Sequence, residues 1–104
     1  MSITQYIRRG NKLVGCFYAE KSKYFDHFEF GFSLCRKTDK FNKSLGHSIA
    51  ISRAIYNCGP SKVPVSIRKD CIEFLKRCVK YYKVQEFYIS GYRFTFEDFK
   101  NECL

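Results

Sequence analysis

The chain has 104 residues, with 19 Lys and Arg against 10 Asp and Glu and a formal net charge of +9. That length makes one domain, expected to span residues 1–104, with a modest core that takes up about two-thirds of the surface an unfolded chain exposes. Its 8 Tyr and 11 Phe exclude intrinsic disorder, and no apolar run nears the ~20 residues of a membrane span.

The first ten residues, Met-Ser-Ile-Thr-Gln-Tyr-Ile-Arg-Arg-Gly, lack the apolar stretch of a signal peptide. Ile3 to Ile7 alternate loosely, the basic turn 8–12 follows, and residues 13–19 form a second β-prone run. Gly10 and Asn11 between two such runs signal a hairpin. After the charged stretch 20–27, Phe28, Phe30, Phe32 and Leu34 alternate with other residues, the pattern of a half-buried antiparallel strand. A polar, basic loop over 36–46 leads to Ile49, Ala50, Arg53 and Ala54 at near-helical spacing, stopped by Asn57-Cys58-Gly59-Pro60.

A stronger helix is predicted from about Val65 to Lys83. Its apolar face is Ile67, Cys71, Phe74, Leu75, Cys78 and Tyr82, against Arg68, Lys69, Lys76, Arg77, Lys80 and Lys83. Phe87 to Ile89 read as a short strand. Thr95 with an acid three residues on resembles an N-cap that starts a last short helix. The order β-β-β-α-α-β-α predicts an α+β fold: a small antiparallel sheet of three to four strands with two to three helices packed on one face. An edge strand of so small a sheet is also a ready seam for a homodimer.

Six cysteines stand at 16, 35, 58, 71, 78 and 103 with no Cys-x-x-Cys. Cys71 and Cys78 are two helical turns apart, about 10 Å along the axis and too far to bridge. Without a secretory context the expectation is reduced thiols in a cytoplasmic protein, several of them acting as small core residues. Short-spaced ligand pairs are absent, as are glycine-rich phosphate loops, so neither a metal nor a cofactor is expected. Catalysis is not expected either: Cys35 and His47 have no orienting acid beside them, and His27 next to Asp26 is a single pair.

The charge is uneven. Residues 1–43 carry +5, residues 44–83 carry +6 and residues 84–104 carry −2. A basic body favours a polyanionic partner. Three clusters are the candidate nucleic-acid or anion contacts. They are the hairpin tip (Arg8, Arg9, Lys12), the loop before the first helix (Arg36, Lys37, Lys40, Lys43) and a stripe on the second helix (Arg68, Lys69, Lys76, Lys80, Lys83). The loop places cations beside the N–H groups of a helix start, where an anion is favoured. The helix stripe has the spacing to follow phosphates. Tyr6, Tyr18, Tyr24, Tyr81, Tyr82, Tyr88 and Tyr92 interleave with these charges and offer rings for unpaired bases, two or three of them free once the core is built. Asp39, Asn42 and Gly46 read as structural, with Arg53 reaching back to Asp39.

The stretch 33–54 runs as a strand ending Ser33-Leu34-Cys35, then Asp39-Lys40-Phe41-Asn42-Lys43-Ser44-Leu45-Gly46, then Ile49-Ala50-Ile51-Ser52-Arg53-Ala54. It resembles a segment of short, mostly uncharacterised bacteriophage accessory proteins, with the pattern Ser-x-Cys, Asp-x-Phe-x-Lys-x-x-Gly and Ile-Ala-x-x-Arg-Ala. The resemblance covers about a fifth of the chain and assigns no chemistry. It implies a small accessory protein acting in the host cytoplasm against host machinery or a host defence such as CRISPR. The expected partner is nucleic acid or a host nucleoprotein complex. The alternatives are an acidic host protein surface, and a small anionic nucleotide cradled by the loop 36–46.

Overall fold

A computed structural model describes residues 1–35 and 40–103. Strands β1 (Ser2–Arg9) and β2 (Lys12–Lys21) form the expected hairpin, β3 (His27–Leu34) follows, and helix α1 (Lys43–Ile55) comes next. A 3-10 turn, Val65–Ile67, leads into helix α2 (Arg68–Tyr82), and strands β4 (Glu86–Ile89) and β5 (Tyr92–Thr95) run into helix α3 (Phe96–Cys103). The strands make one sheet in the order β1-β2-β3-β4-β5.

Turn chemistry explains the two tight hairpins. In the first, Arg9 pairs with Lys12 across a two-residue loop whose first residue, Gly10, has φ 63°, as a type II′ turn requires. In the second, Ile89 pairs with Tyr92, and both loop residues have positive φ, Ser90 at 50° and Gly91 at 84°, as in a type I′ turn.

Three features differ from the sequence expectation. The sheet has five strands, because Ser90-Gly91 turns the chain straight back as β5. It is mixed, because β4 lies parallel to β3 while every other neighbouring pair is antiparallel. And the helices do not share a face. Strand alternation sends Phe17 and Ala19 of β2 and Phe28, Phe30 and Phe32 of β3 to one side, into a core with Cys71, Phe74, Leu75, Cys78 and Tyr82 of α2 and Phe96 and Phe99 of α3. Cys16 and Tyr18 point the other way, against Ala50 and Ala54 of α1. Parallel neighbours need a crossover, and here the crossover uses both faces of the sheet.

The larger core is aromatic. The Phe17 ring stacks on Phe74 with centroids 5.2 Å apart and lies 5.8 Å from Phe30, while Phe28 stacks on Phe87 at 5.3 Å. The apolar face expected of α2 is buried at every position from Ile67 to Tyr82. The Tyr82 hydroxyl, 2.9 Å from the Met1 carbonyl oxygen and 3.2 Å from that of Ala19, gives the α2 end a polar anchor on β1 and β2.

The smaller core depends on close approach. A Cβ added at Gly31 in β3 would lie 2.1 Å from the Ala50 carbonyl oxygen and 2.6 Å from the Ala54 nitrogen, both α1 backbone. Gly46 in α1 is likewise closed off by the Phe41 ring at 2.5 Å, and its carbonyl oxygen accepts a hydrogen bond from the buried Ser33 hydroxyl at 2.8 Å. The Asn42 side chain accepts from the Leu45 N–H and caps α1, and Thr95 Oγ1 accepts from the Asp98 N–H at the start of α3, as its sequence suggested.

Two predictions follow from these cores. Gly31→Ala forces helix backbone to move, so it should cost about 2 kcal/mol or more despite the lower entropy of the unfolded chain; an unchanged urea midpoint contradicts the close contact. Burial pushes the Cys16 thiol up to about 11 and the Cys78 thiol up to about 12, from an ordinary value of 9.0. Because both folded values are raised, their contribution to stability is complete below pH 9.0 and is lost as pH climbs through about 11 and 12. Denaturation midpoints should therefore fall above pH 9.0, and the fall should be shallower when Cys16 and Cys78 are both alanine.

Candidate nucleic-acid interface

The buried stripe of α2 fixes which residues face outward. With Cys71, Phe74, Leu75, Cys78 and Tyr82 turned to the sheet, the helical period places Lys69, Glu73, Lys76, Arg77, Lys80 and Tyr81 on the opposite side. Glu73, Lys76, Arg77, Lys80 and Tyr81 line an open groove of about 480 Å³. Arg77 donates from Nη1 to Gln5 Oε1 at 3.2 Å, and the Tyr81 hydroxyl lies 3.5 Å from Met1 Sδ, so the groove borders on β1. The Tyr81 ring is about half exposed and packs edge-on to Tyr82. Among the described residues, none of Lys69, Lys76, Lys80 and Lys83 is in an ion pair. Three cations outnumber the one acid, Glu73, in this open groove, and with the ring they have the chemistry to hold phosphates and stack a base.

The hairpin tip belongs to the same end of the molecule as the start of α2. Arg9 Nη2 lies 2.6 Å from Asp70 Oδ2 and donates to the Ser66 carbonyl oxygen at 2.6 Å. That contact ties the β1–β2 turn to the first turn of α2 and engages Arg9, one of the expected anion contacts, in a structural strap. Arg8 and Lys12 stay exposed beside it.

The other candidates separate. Arg68 turns out of the stripe: its Nε donates to the Val63 carbonyl oxygen at 3.1 Å, and the side chain lines a cleft of about 470 Å³ with Tyr92, Phe94 and Phe99. Its place on the outward face is taken by Arg77, which stands four residues before Tyr81. Lys43 lies across the sheet, with Nζ 4.7 Å from the centre of the Tyr6 ring. Lys40 is exposed and lines a separate cleft between the end of β3 and the start of α1. Arg36, Lys37 and Asp39 lie outside the described residues. Arg53, expected to reach Asp39, donates from Nη1 to the Phe32 carbonyl oxygen at 2.8 Å.

The tyrosines sort by burial. Tyr18 and Tyr82 are buried, and burial raises both hydroxyls above their ordinary value of 10.0. Tyr24, Tyr56, Tyr81 and Tyr92 are exposed, and of these only Tyr81 lines the basic groove on α2. The central strands β2 and β3 carry helices on both faces, so their faces are closed to bases.

The two histidines have defined neighbours. His47 Nε2 is 3.1 Å from Thr4 Oγ1, with the Tyr6 and Tyr18 rings beside it, and its neighbour is therefore a hydroxyl and not an acid. His27 meets Glu29 at 3.3 Å, stacked on Phe25 and tilted against Tyr88, and Asp26, its neighbour in sequence, is not its partner. Among the described residues no three His, Cys, Asp or Glu side chains are grouped to hold a metal ion, and no helix is long and apolar enough to cross a membrane.

Compared with known proteins, the chain matches no family model, no curated protein and no solved structure.

The Arg9–Asp70 contact generates a prediction of its own. Both side chains are more than a third exposed, so a double-mutant cycle with Arg9→Ala and Asp70→Ala should give a coupling of about 0.2–1 kcal/mol that shrinks at 1 M salt (roughly a 3 Å screening length). A coupling of zero at low salt removes the strap.

Proposed function

We propose that this protein binds nucleic acid along the outward face of α2, with Lys69, Lys76, Arg77, Lys80 and Lys83 meeting phosphates and Tyr81 stacking on an unpaired base. The observation that carries the reading is the outward face of α2: Lys76, Arg77 and Lys80 stand there around an exposed ring with a single acid, Glu73, among them, and the flanking Lys69 and Lys83 have no ion pair among the described residues. Arg8 and Lys12 extend the basic track past the start of α2, because the Arg9 strap holds the hairpin tip there. The binding is electrostatic and weakens with salt, through release of counterions from each neutralised phosphate. The reading assigns no catalysis and needs no cofactor.

In the setting implied by the segment 33–54, a phage-type accessory protein in a host cell, the concrete form is occupation of a nucleic-acid path in a host defence or transcription complex. Lys40 and Lys43 are secondary contacts in this reading, since they lie on the side of the sheet away from α2.

The test is a titration of labelled single- and double-stranded DNA and RNA at two salt concentrations. It compares the unaltered protein with a Lys76→Glu/Lys80→Glu pair and a Lys40→Glu/Lys43→Glu pair. The α2 pair should lose binding by about 100-fold at low salt, and the α1 pair by about tenfold or less, for charge reversals on and off a phosphate track. Tyr81→Ala should weaken single strands by a further 1–3 kcal/mol, about what one stacked base contributes, and leave duplexes unaffected. Loss of binding with the α1 pair and not the α2 pair moves the site to the α1 side; no binding in any form overturns the reading.

A further inference from the structure

The two edges of the sheet are unlike. The β5 edge has four residues and runs directly into α3, while β1 has eight and pairs with β2 alone. The ladder to β2 fixes the direction of its free hydrogen-bonding groups. The Lys21 N–H donates to the Met1 carbonyl oxygen, and Ser2 stands opposite Glu20, Ile3 opposite Ala19, Thr4 opposite Tyr18 and Tyr6 opposite Cys16. In an antiparallel ladder bonded and non-bonded pairs alternate. Ile3, Gln5 and Ile7 therefore spend their main-chain groups on β2, and the N–H and C=O groups of Ser2, Thr4 and Tyr6 point outward. The register shift between Ile7 and Arg8, where β2 carries the extra residue Val14, ends this array.

Up to that bulge, β1 itself carries none of the devices that discourage pairing. Residues 2–7, Ser-Ile-Thr-Gln-Tyr-Ile, include no charge, no proline and no glycine, whereas edges closed to partners carry charges, proline or bulges. The charge stands to either side instead. On the α1 side Lys43 Nζ sits over the Tyr6 ring, on the α2 side Arg77 sits on Gln5, and Arg8 and Arg9 follow at the end.

We propose that the open edge of β1 accepts an extended, acidic segment of a partner protein as an added strand, held by the main-chain groups of Ser2, Thr4 and Tyr6 and by the flanking cations Lys43 and Arg77. Main-chain hydrogen bonds supply affinity in such strand addition, and side chains supply specificity. A second copy of this chain fits less well. Pairing β1 with β1 brings the cations Lys43, Arg77, Arg8 and Arg9 of both copies to one seam, and β1 has no acid to answer them. This surface shares Arg77 with the α2 groove but differs in chemistry, because it acts chiefly through backbone groups that a nucleic acid does not match.

The test uses the full chain and an eight-residue probe alternating valine and glutamate, blocked at both ends and read by fluorescence anisotropy. Two further probes carry N-methyl groups on one or the other alternate set of residues. Only one set turns its N–H groups toward β1, so one methylated probe should bind about tenfold or more weakly and the other within about twofold, given roughly 1 kcal/mol per lost hydrogen bond. A probe with lysine in place of glutamate should not bind. Thr4→Pro, which removes an outward N–H and leaves the β1–β2 ladder its bonds, should weaken the unmethylated probe, and Thr4→Ser should not.

Equal binding of the two methylated probes, or no binding of the unmethylated one, overturns the proposal. So does a dimer in sedimentation velocity that Thr4→Pro dissociates, which assigns the edge to a second copy. In the Lys76→Glu/Lys80→Glu protein the two methylated probes should still differ, so loss of nucleic-acid binding and loss of strand addition are read separately.

Discussion

The contact on which this fold depends is the seating of α1 directly on β3. At Gly31 the helix backbone lies where a side chain would otherwise be, 2.1 Å from the position of a Cβ. A helix held that closely covers β2 and β3 on one face and buries Cys16, Tyr18, Ala50 and Ala54. The chain must then return on the other face, where α2 meets the phenylalanines of β2 and β3. Only after that does β4 enter beside β3, parallel to it. The parallel pair that makes the sheet mixed is thus reached by a crossover that visits both faces.

The same path decides where the charge goes. Each helix turns its apolar stripe inward and its cations outward, so helices on opposite faces split the basic residues into two groups. Lys40 and Lys43 lie with α1, and Lys69, Lys76, Arg77, Lys80 and Lys83 with α2. The Arg9–Asp70 strap then adds the hairpin tip to the α2 group. A surface that looks like one dispersed basic body in the sequence is, in the folded chain, one longer track and one shorter patch, with the uncharged residues 2–7 of β1 between them. Lys43 and Arg77 mark the two sides of that edge.

Three of the six cysteines have a structural account. Cys16 sits against α1, while Cys71 and Cys78 fill the stripe of α2 that faces the sheet. Burial holds the Cys16 and Cys78 thiols well above their ordinary ionisation range, so they are poor nucleophiles at neutral pH. Small, weakly polar side chains suit a core in which most of the volume is taken by phenylalanine rings.

The sequence by itself determined whatever local period and turn chemistry determine. It was enough for the β1–β2 hairpin, for the alternation of β3, for the buried stripe of α2 from Ile67 to Tyr82 and for the Thr95 cap of α3. A structural part for Gly46 was legible too, though not the Phe41 ring that closes on it. The second hairpin was also written there, in Ser90-Gly91 between two short aromatic runs, but four-residue strands carry too little alternation to stand out. Tertiary structure alone decided the rest. Periodicity says which side chains share a face of a helix; it does not say which side of a sheet that helix will take, or which residue at the margin of the stripe finds a local partner. Arg68 and Arg77 show the difference, since a carbonyl at Val63 draws one aside and Gln5 draws the other to the edge of β1. Those partners are 5 and 72 residues away in the chain, and only the folded path brings the distant one within reach.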